Sequence, residues 1–575
     1  MKHRSAKSLF SFTLISVLLL SMFASGASAA GAELTASSAK TKTNALQSYV
    51  DSMQPGWNLG NTLDATGADE TTWGNPKVTK QLIQQIKKQG FNSIRIPVTW
   101  GQHMGSAPDY TIDPAYLDRV QEVVNWALDA HLYVLINVHH DSWQWVSYME
   151  SKHDEVLAQY NAAWTQIADR FKNTSDKLLF ESINEPRFTD GGTTDTAKMF
   201  DMLAELNTSF HQIVRASGGK NTTRPLVLPS LGSSPTQENM DELYSTITSL
   251  NDPNLIATVH YYGFWPFSVN IAGYTTFEQD TQNDITTTFD NVYNTFTAKG
   301  IPVILGEYGL LGFDKNTNVI EQGEKLKFFN FLLNKLKDKH ITAMLWDNGQ
   351  HFGRTTFKWS DPSLYHMIMD TVNGAAATAS SDQIFIKQGQ QVKDASLQLT
   401  LNGTKFDSIS VNGKKLKKNQ DYTLTDGGLL TLKANTLKSL TASGKTGVNA
   451  VLTLSFNKGP EWKVNVIVYK TPQLQSASGT TDSFSIPTAF NGDRLATMEA
   501  VYADGSFAGP QNWTAYKEFG NTFNPNYDNG TIDLLPAFFN EVKDGDVTLK
   551  FHFWSGEIVT YTITKNGTAV TGQAN

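Results

Sequence analysis

At 575 residues the chain is too long for one ordinary core, since single domains run to about 100–250 residues, so two to four domains are expected. Its 40% hydrophobic and 18% charged residues exclude a disordered or coiled-coil protein, and a net charge of −8 excludes the basic surplus of a nucleic-acid binder. The absence of cysteine excludes disulfide staples, thiolate catalysis and Cys-ligated zinc. Ten of the 13 Trp precede residue 360, as expected of either a Trp-rich core or a surface that stacks flat apolar faces such as sugar rings.

Residues 1–30 place Lys2, Arg4 and Lys7 ahead of an apolar run from Leu9 to Met22, then the small residues Ala27-Ser28-Ala29. This is the pattern of a secretory signal peptide cut near Ala29 or Ala30, and the run is too short and Ser-rich for a membrane anchor. The mature chain is therefore expected outside the cell, free of the membrane and monomeric, with 31–43 as a flexible polar leader.

From about residue 44 to 375, short apolar stretches alternate with longer amphipathic ones. Strands are predicted at 56–60, 93–98, 133–139, 178–184, 226–231, 255–262, 302–308 and 342–347, and helices at 79–89, 114–130, 162–171, 196–217 and 321–337. Eight such units in this length predict a (β/α)8 TIM barrel. The small-residue stretch 374–381 reads as a linker, beyond which the helical pattern stops and alternating strands begin, at 396–401, 408–411, 450–456 and 463–469. Residues 382–471 carry 13 Lys and no Arg against 6 acids, a net of +7, whereas 472–575 carry 11 acids against 5 Lys plus Arg, a net of −6. This reversal, with a second polar stretch at 475–482, predicts two separate β-sandwich modules, 376–471 and 472–575.

In such barrels the chemistry lies where strands end, so polar residues closing apolar runs are informative. Here they are Arg95, His139-His140, Asn184-Glu185-Pro186, His260-Tyr261-Tyr262, Glu307-Tyr308 and Trp346-Asp347-Asn348. Each alone has a plainer explanation: a core ion pair, a turn or a packed ring. The adjacent His139 and His140, if both on a strand, would point to opposite faces and could not easily share a metal ion, so no metal site is expected. Together the strand ends suit glycoside hydrolysis, which needs one carboxylic acid for the leaving oxygen and one carboxylate for the anomeric carbon. Arg95 and Tyr262 can support an anionic Glu307, which suits the nucleophile. Glu185, with no cation evident beside it, suits the acid that later acts as base. Asn184 is placed for the sugar 2-hydroxyl, and Trp346 offers a stacking face.

At these residues the sequence resembles glycoside hydrolase family 5, through GWNLGNTLDA (56–65), RIPVTW (95–100), NVHHD (137–141), INEP (183–186), HYY (260–262), GEYG (306–309) and LWDNG (345–349). With ETTWGNP (70–76), the opening looks most like the subfamily of endo-β-1,4-glucanases and xyloglucanases. The resemblance implies Glu185 as acid/base and Glu307 as nucleophile. It adds Arg95, His139, Asn184, His260, Tyr262 and Trp346 to the site, and His140, Asn61 and Asp64 as substrate contacts. It also implies a polysaccharide partner and no cofactor. The trailing modules are similar to an immunoglobulin-like module and to carbohydrate-binding module family 46. In the last, Trp513 and Trp554 are the expected sugar contacts, with Tyr516 and Phe519 behind them, whereas Trp462 of the middle module is expected in its core. Trp143, Trp145 and Trp265 follow strands 3 and 6, where cleft walls form.

A β-mannanase on the same fold is the nearest alternative, and loop shape, which decides between the polymers, is not legible. A non-catalytic polysaccharide-binding protein would be expected to have lost one of the two glutamates. An aldolase-like barrel would need a Schiff-base Lys at a strand end and a phosphate-gripping turn after strand 7, where the sequence has Gly-Leu-Leu-Gly-Phe.

Overall fold

The structure, a computed structural model, describes residues 45–314 and 316–574, so the predicted signal peptide and leader lie outside the described residues. Eight parallel strands close into a barrel in sequence order: β1 (Gly56–Asn58), β2 (Ser93–Ile96), β3 (Tyr133–Asn137), β4 (Leu178–Glu181), β5 (Leu226–Pro229), β6 (Leu255–Tyr261), β7 (Val303–Tyr308) and β8 (Ile341–Leu345). A helix follows each strand, from Lys80–Lys88 after β1 to Pro362–Asn373 after β8. Several begin at side chains that cap the first free amides, among them Thr79, Asp113, Asp195 and Asp361.

Alternation along each strand sorts the barrel interior into layers. Leu135, Leu179, Val227, Ile256, Ile304 and Met344 form an apolar lower layer, closed beneath by Val50 and Met53 at the end of the helix Ala45–Asp51. Two residues further on, β3 and β4 present Asn137 and Glu181 on the same inward face, and Arg95 of β2 reaches up from beside Leu135 to donate to Glu181. The outward set, including Ile94, Ile96, Val134, Ile136, Leu178 and Phe180, packs into the core beneath the helices. Burial on both faces is why these strands read as continuous apolar runs.

Beyond the barrel, the middle module pairs a five-stranded sheet with a four-stranded sheet, and the last module does the same. Leu397, Leu430, Ile409, Leu454 and Trp462 from the two middle sheets share one core. Helices do not stop at residue 381, since Ala434–Leu440 and Pro536–Phe539 are helical. The small-residue stretch 374–381 is likewise no loose tether. Thr378–Ala379 form a strand paired to Ala395–Thr400, and Ala376 and Ala377 are fully buried. Their small side chains are what fits between two packed modules. The polar stretch 475–482 contains another strand, Ala477–Thr480, with Ser478 and Thr480 together on its exposed face.

The seams between modules are specific. The Asn402 amide donates to Asn330 Oδ1 at 2.7 Å, and Gln383 Nε2 donates to Glu321 Oε1 at 2.8 Å. Lys387 and Glu557 pair at 2.7 Å across the middle–last seam, and the Phe519 amide of the last module donates to Asn270 O of the barrel at 3.1 Å.

Candidate active site

The mouth of the barrel is organised around one buried guanidinium. Arg95 is fully buried and donates to Glu181 through Nε and Nη2 at 2.7 and 2.9 Å, to Glu307 Oε1 at 2.6 Å, to Asn184 Oδ1 at 2.8 Å and to Asn58 Oδ1 at 3.1 Å. Burial alone would lower such a group's pKa, but Glu181 and Glu307 outweigh it and raise it above the ordinary arginine range. The planar five-donor fork is what lets one side chain address two carboxylates and two amides at once.

Glu307 is held from its other side by the Tyr262 hydroxyl, which donates to Oε2 at 2.6 Å. A register shift between β6 and β7 sets His260 opposite Glu307. His260 Nδ1 lies 2.9 Å from Glu185 Oε1 and 3.7 Å from Glu307 Oε2. Gly306 permits that approach, since a Cβ there would stand 3.0 Å from His260 Nε2. Ligand-type atoms of Glu185, His260 and Glu307 all fall within 4.8 Å of one another.

Glu185 has left-handed backbone, φ 40°, immediately before Pro186, with its amide donating to Ser233 Oγ at 3.3 Å. A non-glycine residue held there is strained backbone of the kind found at functional sites. The sequence suggested that no cation stands near Glu185, and the structure corrects this. Two residues on, Arg187 Nη2 comes within 3.8 Å of Oε2, and His260 reaches the other oxygen. Burial raises the Glu185 carboxyl, but the hydrogen bond and charge of His260, with Arg187 and Arg95 behind them, leave it below its usual range. Burial likewise opposes charge on His260, and the carboxylates of Glu307 and Glu185 more than offset it, raising the imidazole.

His139 is buried, and burial followed by the charges of His140 and Arg95 holds its pKa well below the histidine range. The Asn137 amide donates to its Nδ1 at 3.0 Å, so in the neutral ring the proton sits on Nε2. The ring lies parallel to Trp346, with centroids 6.1 Å apart and planes 4° from each other. Gly60 leaves room for that indole, since a Cβ there would come within 2.9 Å of it.

The expectation that His139 and His140 diverge is also corrected. β3 stops at Asn137, so alternation no longer applies, and the two rings meet edge to face at 4.4 Å. Asp64 is fully buried rather than presented to solvent. It accepts the amides of Asn61 and Thr62 at 3.0 and 2.7 Å and faces His140 Nε2 at 3.5 Å, so it shapes the loop carrying Asn61 instead of forming a surface contact. Asp347 is a similar hub, accepting Trp57 Nε1 and the amides of Gly349 and Phe352.

Around this centre stand aromatic walls. Trp73 lies 5.0 Å from His140, and the Trp143 indole donates to His140 Nδ1 at 2.8 Å. Trp145 is tied to Asp141 at 2.8 Å. Trp265, after β6, meets Trp513 of the last module at 6.1 Å. Trp513 is 54% exposed, whereas Trp554 is half-buried at a different seam and Trp462 is in the core, as the sequence suggested. Tyr516 packs on the same barrel loop as Phe519, its ring 3.4 Å from where a Gly273 Cβ would be. The sequence reading missed Glu181, Asn58, Asn137, Arg187 and Trp73. A charge closing the apolar run LLFE, two residues past an inward Leu, was the available signal for Glu181.

Residues 59–352 match the family model of cellulases, glycosyl hydrolase family 5. The chain belongs to that family. Residues 378–466 match carbohydrate binding domain X2, and 470–573 match the carbohydrate binding domain of family 46. Across its whole length this family 5 chain is 64% identical over 575 residues to an endoglucanase B of Paenibacillus lautus, covering 100% of each. It is similar to the solved tri-modular endo-β-1,4-glucanase B of Bacillus halodurans at 54% identity and a TM-score of 0.90, covering 93% of this chain and all of that one. A tri-modular endo-β-1,4-glucanase of Bacillus licheniformis, solved with cellotetraose, is 32% identical with a TM-score of 0.76, covering 92% and 98% of the two chains. Among the described residues no helix is long and apolar enough to cross a membrane.

Proposed function

We propose that this family 5 chain is a secreted, retaining endo-β-1,4-glucanase that cuts cellulose-like and mixed-linkage glucans and accepts xyloglucan. Glu307 is the nucleophile and Glu185 the acid/base, in a barrel spanning 44–375 followed by modules 376–471 and 472–575. One observation carries the reading: oxygens of Glu185 and Glu307 lie within 4.8 Å of each other across the barrel mouth, with Glu307 gripped by both Arg95 and Tyr262. Retaining enzymes hold their two carboxyl groups about 5–5.5 Å apart, whereas inverting ones leave about 6.5–9.5 Å for a water.

In this mechanism Arg95 and Tyr262 orient Glu307 for attack on the anomeric carbon. Glu185 and His260 share a proton across their 2.9 Å contact. As Glu307 forms the glycosyl ester, Glu185 delivers that proton to the leaving glycosidic oxygen. Once Glu307 is esterified, its charge no longer supports the imidazolium. Glu185 then removes a proton from water, which attacks the same carbon and releases Glu307. The Asn184 carbonyl oxygen is occupied by Arg95, so its NH2 is the group available to the sugar 2-hydroxyl. Trp346, parallel to His139, provides the face for the sugar being cleaved.

Trp265 and Trp513 together support a substrate path that continues from the barrel onto the last module, which favours long or branched chains over short ones. The deciding experiment is proton NMR of freshly cleaved cellotetraose. Retention gives the β-anomer first, and early α-anomer would overturn the assignment. Glu185→Gln and Glu307→Gln should each lower turnover by at least about 10³-fold with the fold intact, of the order that removing a catalytic group costs.

A further inference from the structure

A second cavity, of about 550 Å3, lies where all three modules meet, lined by none of the catalytic glutamates. Asn270 and Asn318 reach it from the barrel, Gln383 from the middle module, and Asn526, Tyr527 and Trp554 from the last. Its size falls in the roughly 300–1,000 Å3 range of small-molecule sites. We propose that this junction binds a neutral oligosaccharide, a segment of β-glucan, separately from the cleft. The proposed function enters only in the choice of β-glucan as the sugar.

Two buried acceptors point to a hydroxyl-rich ligand. Asn270 is 3% exposed, and its NH2 is committed to Val319 O and Ala496 O at 3.2 and 3.1 Å, which fixes the side chain across the barrel–last seam. Its Oδ1 is buried and meets no donor among the described residues. Gln383 repeats the pattern, with its NH2 on Glu321 at 2.8 Å and its buried Oε1 without a donor. A buried acceptor left without a donor is costly, and sugar hydroxyls are the donors that these two lack.

The last module supplies aromatic surface. Tyr527 is pinned by the Arg494 guanidinium 4.7 Å above its ring and accepts the Leu495 amide at 3.1 Å, while the Trp554 amide is tied to Arg494 O at 2.9 Å. Charge narrows the ligand class. Arg494 is the one cation among the described lining residues, against Glu321, Asp528 and Asp533, so phosphates and uronates are disfavoured and neutral sugars are not. Amides, carboxylates and one or two aromatic faces are the groups that suit a sugar's alternating hydroxyl edges and apolar face.

The test uses the full chain carrying Glu307→Gln, titrated with cellotetraose by calorimetry. Two classes of site are expected. Trp554→Ala should weaken one by at least tenfold and leave the other, Trp346→Ala should do the reverse, and Trp513→Ala should leave the junction site intact. Gln383→Leu, which removes one orphan acceptor at a half-buried position, serves as the second variant, and unchanged melting temperatures certify the folds. A single site lost with Trp346→Ala overturns the junction proposal but not the glucanase reading. A single site lost with Trp554→Ala does the opposite, and no binding at all overturns the junction proposal.

Discussion

Replacing Trp513 by alanine isolates the contribution of the last module to catalysis. A Trp side chain offers about 250 Å2, so at 54% exposure about 135 Å2 of Trp513 faces solvent. A sugar ring laid on one face would cover roughly half of that, about 70 Å2. At about 25 cal/mol per Å2 this is about 1.7 kcal/mol, or roughly fifteenfold in affinity. The exposed ring carries little of the module's own packing, so the melting temperature should not move. The assay compares kcat/KM on xyloglucan and barley β-glucan with kcat/KM on an aryl cellobioside, which the barrel alone can hold. We expect a roughly tenfold to fifteenfold fall on the polymers, expressed in KM, and no change on the aryl glycoside. Equal losses on both, or none on the polymers, would refute the idea that the Trp265–Trp513 pair extends the cleft.

Arg95→Met should be far more damaging, because it leaves Glu181 and Glu307 as uncompensated carboxylates in the barrel; breaking a buried pair in this way costs about 3–5 kcal/mol, readable as a shifted denaturant midpoint together with lost turnover. Lys517, buried in the last module with its ammonium on the carbonyls of Pro510 and Thr514 at 3.0 and 2.9 Å, holds the loop that presents Trp513. Lys517→Met should reproduce the polymer-selective defect of Trp513→Ala, with about 1–3 kcal/mol of added instability for each orphaned carbonyl, and retention of full polymer activity would argue against that positioning role. Burial, with Glu321 and Glu324 nearby, pushes the Asp382 carboxyl up to about 9. Between its ordinary value and about 9 the folded state therefore holds a proton that the unfolded chain has released, so this group makes stability fall as pH rises through that window. Asp382→Asn keeps a donor toward Glu321 and removes the titration, and it should raise the melting temperature relative to the parent near pH 9, the gain vanishing near pH 3. A constant difference across that range would contradict the assignment.

The barrel was legible because its strands are buried on both faces and its helices are amphipathic, two periods that a sequence displays openly. Strand ends were less so. The apolar runs continue past β3 and β4 to His139 and Asn184, but the chain has already left the ladder there, and this departure brings His139 against His140 and sets Glu185 at positive φ. The two glutamates were visible as polar endings, and so was the support of Glu307 by Arg95 and Tyr262, whereas the other partners were not: Arg187 reaches Glu185 from two residues on, across Pro186, and Glu181 meets Arg95 from 86 positions away. The stretch 374–381 shows a deeper ambiguity. Alanine, serine and threonine serve equally where a chain must stay loose and where two surfaces must close tightly, and composition cannot separate those cases.

The helix Ala45–Asp51 has a practical consequence. Gln47 Nε2 bonds His340 O at 2.9 Å and the Val50 carbonyl accepts Thr342 Oγ1 at 2.6 Å, so this helix is stitched to the end of the barrel where β8 begins, opposite the cleft. A surface linkage placed on its exposed side, for instance at Ser48, would orient every immobilised molecule with its cleft toward the solution. Insoluble cellulose could then be brought to a fixed enzyme layer without the support masking the groove.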